Sequence, residues 1–211
     1  MLAGMAWRNR VNPDLSSLLR PTRLWRRIEV LSRPCPVPRK AGIYAWYFRD
    51  IPEVPTVGCH RALGATLLYI GISPKPPATN GAPPSRQRLI NRVRYHFRGN
   101  AAGSTLRLTL GCLLADVIAI RLWRVGSGRR RTFAAGEQQL SNWMAENAFV
   151  CWLPMDNPWV LESLLIQQLS LPLNLQGNEA HPFHERLSAI RRKFRDQADA
   201  QPIWRQSHCT A

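Results

Sequence analysis

The chain has 211 residues, of which 29 are Lys or Arg and 13 are Asp or Glu, so its formal net charge is +16. Because 45% of the residues are hydrophobic, the composition excludes a wholly disordered chain, and no run of about 18 apolar residues is present to span a membrane. The five scattered cysteines include no Cys-x-x-Cys pair, which argues against a disulfide framework or a cysteine zinc site and favours a cytoplasmic location. The positive charge predicts a polyanionic partner, with nucleic acid as the first candidate.

The N-terminal part of the chain, residues 1–38, is predicted to form an arm and a linker. A short leucine-rich helix is expected before Pro21. The segment from Arg33 to Pro38 contains three prolines, which block both helix and sheet ladder, so it is predicted to be extended. This part of the chain is therefore expected to precede the main domain, which we place at residues 39–184.

Two strands are predicted next, because aromatic, aliphatic and β-branched residues dominate both segments. They are Gly42 to Phe48 and Ala65 to Ile72, and we expect them to pair antiparallel. Loops rich in Pro and Gly are predicted at 50–64 and 73–85.

A helix with two distinct faces is predicted from Arg86 to Phe97. One face is apolar at positions i, i+4 and i+8, and the neighbouring face repeats cations at the same spacing. The apolar face consists of Leu89, Val93 and Phe97, and the cationic face of Arg88, Arg92 and His96.

The remaining elements complete an α/β (α+β) fold: a small central antiparallel sheet of three strands flanked by helices, with inserted loops and an extra hairpin. They are a helix from Ser104 (its N-cap) to Ile118, a hairpin formed by 120–125 and 129–133, a helix at 137–147, a strand at 148–153, a helix at 158–169 capped by Asn157, and a basic helix at 182–197. Residues 185–211 are interpreted as a basic C-terminal helix and tail.

The charge is distributed unevenly along the chain. From Val54 to Ala115 there is no Asp or Glu, whereas eight Lys and Arg residues lie in that stretch. An uncompensated basic run repels itself unless an anion lies against it. Any carboxylate that binds a metal ion must therefore come from outside this region.

Six polar positions stand out within these elements. The first strand begins with Gly42 to Tyr44 (GIY), and the second contains Tyr69 to Gly71 (YIG). Arg92 and His96 follow on one helix, four residues apart. Further along, Glu162 lies on a helix, and Asn174 follows just after a proline.

This ordered set resembles the GIY-YIG nuclease superfamily, over about residues 40–176. The resemblance implies a metal-dependent endonuclease that hydrolyses DNA phosphodiester bonds, with RNA not excluded. The segments 50–64, 73–85 and 100–147 look like insertions, similar to those with which restriction endonucleases of the superfamily contact DNA. The arginines we expect to bind DNA are Arg86, Arg88, Arg94, Arg98, Arg129, Arg130 and Arg131.

Two of the site residues have roles that follow from their chemistry. Glu162 is the only carboxylate between Asp156 and Glu179. One carboxylate suffices for a single Mg²⁺ (or Mn²⁺), because such an ion keeps several water ligands. Arg92 can bind the scissile phosphate through two N–H groups.

The resemblance implies that one of the two motif tyrosines activates or orients the attacking water. We favour Tyr44 for this role and Tyr69 for holding phosphate or water, although the order can be reversed. Close to Arg92 and a metal ion, such a tyrosine would be stabilised as phenolate. His96 is expected to accept or relay a proton, and Asn174 to hold the active-site backbone or the glutamate.

Two alternatives remain open at this point. The first is a non-catalytic nucleic-acid-binding protein, for which charge and aromatic residues alone would suffice. The second is a nuclease of structure-specific repair or mobile elements rather than of restriction. Other nuclease classes fit worse, since no lysine follows an acid at the spacing of a PD-(D/E)xK site. A homodimer is neither required nor excluded.

Overall fold

A computed structural model describes residues 14–77, 85–126 and 130–205. None of the helices in these ranges is long and apolar enough to cross a lipid bilayer. In chain order the elements are α1 (Ser16–Leu19), α2 (Arg27–Leu31), β1 (Gly42–Phe48), β2 (Arg61–Ala62), β3 (Ala65–Ser73), α3 (Leu89–Arg98), α4 (Thr105–Leu114), β4 (Trp123–Val125), β5 (Arg130–Thr132), α5 (Gly136–Asn147), β6 (Ala148–Pro154), α6 (Trp159–Gln168) and α7 (His184–Asp199).

The central sheet is antiparallel, with strand order β2-β3-β1-β6. The predicted pairing of the two motif strands is confirmed, and Tyr44 lies opposite Gly71. The sheet has four strands where three were expected, because Arg61 and Ala62 pair with the start of β3. The predicted loop 50–64 thus ends as a short edge strand.

β1 lies in the middle of the sheet and is buried along its whole length. Successive side chains of a strand point to opposite faces, so β1 contributes to two hydrophobic cores. Tyr44, Trp46 and Phe48 face the core formed with α3, α4 and α5. Ile43 and Tyr47 face a second core formed with α1 and α6. The sheet is therefore covered by helices on both faces, as the mixed α/β prediction required.

The helix that carries the arginine motif packs as the sequence pattern predicts. Leu89, Val93 and Phe97 are each fully buried against the sheet. Burying such a side chain contributes about 1.5–3 kcal/mol. This stripe fixes the rotation of α3 about its axis and thereby sets the direction in which Arg92 points.

Some local predictions were wrong at element ends. Asn157 does not cap α6: its backbone is left-handed (φ 51°), Pro158 occupies the cap position, and no side chain bonds there. The helix predicted to reach Ile118 ends at Leu114, and Val117 is 59% exposed rather than part of its apolar side. The predicted Ser104 cap is confirmed, since Ser104 Oγ accepts a hydrogen bond from the Arg107 N–H at 3.1 Å.

Residues 14–38 pack against the sheet. Leu18 is buried in the second core, and its carbonyl accepts the hydroxyl proton of Tyr47 at 2.6 Å. Trp25 pairs with Val150 through two backbone hydrogen bonds of 2.9 and 3.0 Å. The segment thus covers the outer edge of β6, which would otherwise expose unpaired backbone groups.

A buried ion pair joins the segment 100–147 to α3. The guanidinium of Arg107 is fully buried and donates to Glu137 Oε2 at 2.7 Å and to the His96 carbonyl at 3.2 Å. The other oxygen of Glu137 accepts from the backbone N–H groups of Ala101 and Phe133. A single carboxylate therefore ties several parts of this segment to the helix of the arginine motif.

Candidate active site

A cavity of about 780 Å³ opens where β1, β3, α3 and α6 meet. Its wall brings together five of the six residues singled out from the sequence, although they are as far apart as positions 44 and 174. The five are Tyr44, Tyr69, Arg92, Glu162 and Asn174. The sixth, His96, lies behind Tyr44 and does not line the cavity.

Tyr44 is joined to His96 by a hydrogen bond. The Tyr44 hydroxyl lies 2.9 Å from His96 Nε2, and His96 Nδ1 lies 2.7 Å from Ser104 Oγ. Ser104 is itself held by the Arg107 N–H at the start of α4. The phenol that faces the cavity is thus backed by an imidazole and a serine hydroxyl in series.

The interpretation of His96 as part of a cationic helix face was wrong. His96 is fully buried, between Trp46 and Tyr44. Burial holds the pKa of His96 well below its ordinary value, and the nearby Arg92 and Arg107 lower it further. The imidazole is therefore neutral at neutral pH, and each of its nitrogens is in a hydrogen bond.

The two tyrosines are protonated phenols in the metal-free protein. Burial raises the pKa of Tyr44 above its ordinary value, and the positive charge of Arg92 opposes this only in part. The pKa of Tyr69 is raised for the same reason, again against the effect of Arg92. The sequence led us to expect a phenolate beside Arg92 and a metal ion. Arg92 alone does not lower the pKa of either tyrosine enough to produce it.

Glu162 reaches the cavity from the first turn of α6. Burial raises its pKa to about 7, and the positive charge of Lys75 opposes the rise. A carboxylate that is poorly solvated in this way gains from a cation placed beside it. Among the described residues that line the cavity, Glu162 is the only Asp or Glu, and within the described ranges no three His, Cys, Asp or Glu residues cluster at a common point.

Asn174 holds the backbone of the second motif strand. Its side-chain oxygen accepts from the Ile70 N–H and its side-chain nitrogen donates to the Ile70 carbonyl, both at 2.9 Å. Of the two roles considered from the sequence, these contacts correspond to the backbone and not to the glutamate. Because Ile70 follows Tyr69, Asn174 fixes the position of that tyrosine on the cavity wall.

At the motif glycines Gly42 and Gly71, neighbouring atoms lie too close to leave room for a side chain. A Cβ at Gly42 would lie 2.4 Å from the Leu153 carbonyl oxygen of β6. A Cβ at Gly71 would lie 2.6 Å from the Tyr44 hydroxyl and 2.8 Å from the ring carbon that carries it. Gly71 thus provides the space that the Tyr44 ring occupies on the neighbouring strand.

Gly71→Ala is expected to displace the Tyr44 ring and to lower the rate of the nuclease activity predicted from the sequence about 100-fold, as a misplacement near 1 Å does. Overpacking should also cost about 1–3 kcal/mol of unfolding free energy. Gly64→Ala is the matched control: Gly64 has φ +75° and no atom within 4 Å of an added Cβ. The control strains the backbone without touching the site, so its rate per folded molecule should match the wild type. A Gly71→Ala protein that cleaves at the wild-type rate would contradict this account.

Several residues that sequence reasoning did not connect with the site also line the cavity. Thr105 and Thr109 are one turn apart on α4, and this i, i+4 pair was a signal available in the sequence. Lys75 and Arg191 add positive charge from two other segments. The sequence predicts Ser104 only as a helix cap. Nothing in the sequence indicates its hydrogen bond with His96.

The arginines predicted to bind DNA lie in different surroundings. Arg86, Arg88, Arg98 and Arg130 are exposed. Arg94 is half-buried and donates to the carbonyls of Val30 and Leu31, so part of its hydrogen-bonding capacity is used within the protein. Arg131 is paired with both carboxylate oxygens of Asp199, at 2.7 and 2.8 Å. Arg129 lies outside the described residues.

The antiparallel sheet carries the GIY and YIG motifs on neighbouring strands, beside the cavity that Arg92, Glu162 and Asn174 also line. The family model described as the GIY-YIG catalytic domain matches residues 42–193, more than two thirds of the chain. The chain therefore belongs to the GIY-YIG nuclease superfamily, and this domain implies a nucleic-acid substrate. No curated protein and no solved structure gives a significant match.

Proposed function

We propose that the protein is a metal-dependent endonuclease that hydrolyses DNA phosphodiester bonds in the cavity between β1, β3, α3 and α6. The observation that carries the proposal is the convergence of two phenols, a guanidinium and a single carboxylate on one cavity wall. Pure binding of nucleic acid needs positive charge but has no need of a half-buried glutamate on the same cavity wall as two tyrosines.

One divalent ion, Mg²⁺ or Mn²⁺, fits the residues present. Nucleases of this superfamily generally depend on a divalent metal. Glu162 supplies one carboxylate, and a cavity of about 780 Å³ leaves room for water ligands and substrate phosphate, which is the mixed oxygen set that Mg²⁺ prefers. When bound, the ion neutralises negative charge on the phosphate in the transition state.

Arg92 binds the scissile phosphate in this proposal. Its Nη1 donates to the Gly103 carbonyl at 2.7 Å, which holds the guanidinium at the cavity. A guanidinium carries five N–H donors, so others remain for two phosphate oxygens. This bond pre-orients the side chain before substrate arrives.

Tyr44 orients the attacking water. In the tautomer with a proton on Nδ1, His96 donates to Ser104 Oγ and its Nε2 accepts the Tyr44 hydroxyl proton. The oxygen lone pairs of Tyr44 are then free to accept a hydrogen bond from water in the cavity. As the water oxygen bonds to phosphorus and the bond to the leaving oxygen breaks, the water proton moves to Tyr44 while the Tyr44 hydroxyl proton moves to His96 Nε2, and the leaving oxygen takes a proton from solvent. After the product leaves, His96 returns its proton to Tyr44 and Tyr44 releases one to solvent. Tyr69 holds the phosphate or a second water beside it.

The inserted segments favour restriction-type cleavage over structure-specific cleavage within this proposal. The segment 100–147 is joined to α3 through the Arg107–Glu137 pair, so a DNA contact made by the segment is held in a fixed relation to Arg92. The exposed Arg130 on β5 belongs to this segment and is available to contact DNA.

The test is cleavage of a complex pool of duplex DNA by the purified protein, with Mg²⁺, with Mn²⁺ and with excess chelator, followed by sequencing of the ends. We expect cleavage with either metal and none with chelator. Cuts at one recurrent sequence support the restriction reading, and cuts at branches or mismatches support repair or mobile-element activity. Tight binding without cleavage under any metal would replace the proposal by the non-catalytic alternative.

A further inference from the structure

A second groove lies along α3, on a different face of the helix from the one that presents Arg92 to the cavity. Its volume is about 800 Å³, and its walls are the linker segment Ser32 to Arg39 and the outer face of α3. We call it the linker groove. Four arginines line it, two from each wall: Arg33, Arg39, Arg94 and Arg98.

The linker groove has the chemistry of an anion site. No Asp or Glu is among its lining residues in the described ranges. Arg33, Arg39 and Arg98 are exposed, and none of the three forms a salt bridge or donates a side-chain hydrogen bond within the described part of the chain. Amide donors from Gln87 and Asn91 lie among the guanidinium groups. Three unpaired cations facing one groove repel each other unless an anion lies between them.

The groove and the catalytic cavity are linked through Tyr95 and Gly103. The Tyr95 side chain lines the groove and packs on Gly99 and Gly103, whose missing Cβ atoms leave room for its ring. The carbonyl of the same Gly103 accepts the hydrogen bond from Arg92, which lines the cavity. Tyr95 and this glycine backbone therefore connect the wall of one site to the wall of the other.

We propose that the linker groove binds the nucleic-acid backbone that flanks the scissile phosphate, with Arg33, Arg39 and Arg98 each contacting a phosphate. This inference rests on the proposed function, because that function places the scissile phosphate at Arg92. A helix with its side chains is about 10–12 Å across, which corresponds to about three nucleotides at 3.4 Å per step. A strand whose scissile phosphate lies at Arg92 thus reaches the groove within a few nucleotides. An acidic peptide would match the charge, but nothing would place it next to the cavity.

The experiment measures binding of a fluorescein-labelled DNA duplex by fluorescence anisotropy, with chelator present so that no cleavage occurs, over a range of salt concentrations. The test variant is Arg33→Ala/Arg39→Ala/Arg98→Ala. Arg94 is left intact, because it holds the carbonyls of Val30 and Leu31 and its loss would disturb the fold. Circular dichroism and thermal unfolding confirm that each variant is folded.

We expect the slope of log K against log salt to fall in magnitude by roughly 2 to 3, since each lost phosphate contact removes about 0.9. The ratio of variant to wild-type dissociation constants should therefore shrink by roughly 16- to 64-fold between 50 and 200 mM salt. The triple Lys variant keeps the charge and should keep the slope. The triple variant Arg20→Ala/Arg121→Ala/Arg192→Ala, which removes the same charge from exposed arginines outside both sites, should change the slope by less than one contact.

Equal slopes for the groove variant and the wild type would overturn the inference. Binding of polyglutamate that is lost in the variant, with DNA binding unchanged, would assign the groove to an acidic protein and overturn it as well. A failure of the proposed function would give a different result, namely no DNA cleavage with either metal. The salt slopes are measured without any metal and do not depend on cleavage.

Discussion

Glu162→Gln should abolish metal-dependent cleavage, with a fall of at least about 1,000-fold in rate. The amide has the shape of the carboxylate but lacks the charge that holds the ion, and the ion contributes several kcal/mol to stabilising the transition state. About 4 kcal/mol corresponds to this factor of 1,000. Rates are measured at saturating Mg²⁺ and again at high Mn²⁺, to show whether a raised metal concentration restores activity.

The control for this variant is Glu179→Gln, the same chemical change at an exposed carboxylate outside the cavity, which should cleave like the wild type. DNA affinity of Glu162→Gln in chelator should equal or exceed that of the wild type, because a negative charge leaves the binding surface. Its unfolding free energy should not fall at neutral pH, because burial disfavours the ionised carboxylate there. Full cleavage by Glu162→Gln would remove the carboxylate from the mechanism.

Glu137→Ala is expected to lower the unfolding free energy by about 3–5 kcal/mol, which is the loss typical of removing one partner from a buried ion pair. The guanidinium of Arg107 is fully buried and would keep its charge without a partner. The backbone donors of Ala101 and Phe133 would lose their acceptor at the same time. Urea unfolding followed by circular dichroism measures the change.

Two further variants make the stability experiment informative. Glu137→Gln keeps an amide oxygen for the two backbone donors, so it should lose less than Glu137→Ala and remain measurable if the alanine variant does not fold. Glu53→Ala breaks an exposed pair, in which Glu53 lies 2.6 Å from Arg186 with both side chains more than half exposed, and should cost at most about 1 kcal/mol. If Glu137→Ala and Glu53→Ala lowered the unfolding free energy by similar amounts, that result would contradict the account in which Glu137 compensates the buried charge of Arg107.

Much of the fold could be predicted because its strongest signals are local. The two motif strands are aromatic and aliphatic throughout, and the apolar stripe of α3 repeats at helical spacing. The ends of the helices and strands were harder to predict, since a cap depends on backbone angles that composition does not specify. Asn157 is an example: asparagine suits both a cap and a left-handed turn, and the structure has the turn.

The residues of the candidate site could be named from the sequence, but their environment could not. An Arg and a His four residues apart on a helix are indistinguishable by spacing from a solvated cationic face. Whether His96 lies under Trp46 depends on the rotation of α3 against the sheet, which is a tertiary property. For the same reason the bond between Ser104 and His96 appears only once α4 is placed beside α3.

The hydrogen bond from Arg107 to the His96 carbonyl has a consequence for exchanging parts between related nucleases. Residues 100–147 look like a removable insertion, yet this segment supplies a buried cation that binds the helix of the arginine motif. A chimera that took the segment without both Arg107 and Glu137 would leave a vacant space beneath α3 or strand a charge there. In our proposal this segment contacts DNA, so specificity and catalysis would be inherited together, and a graft that keeps the Arg107–Glu137 pair is the one we expect to fold.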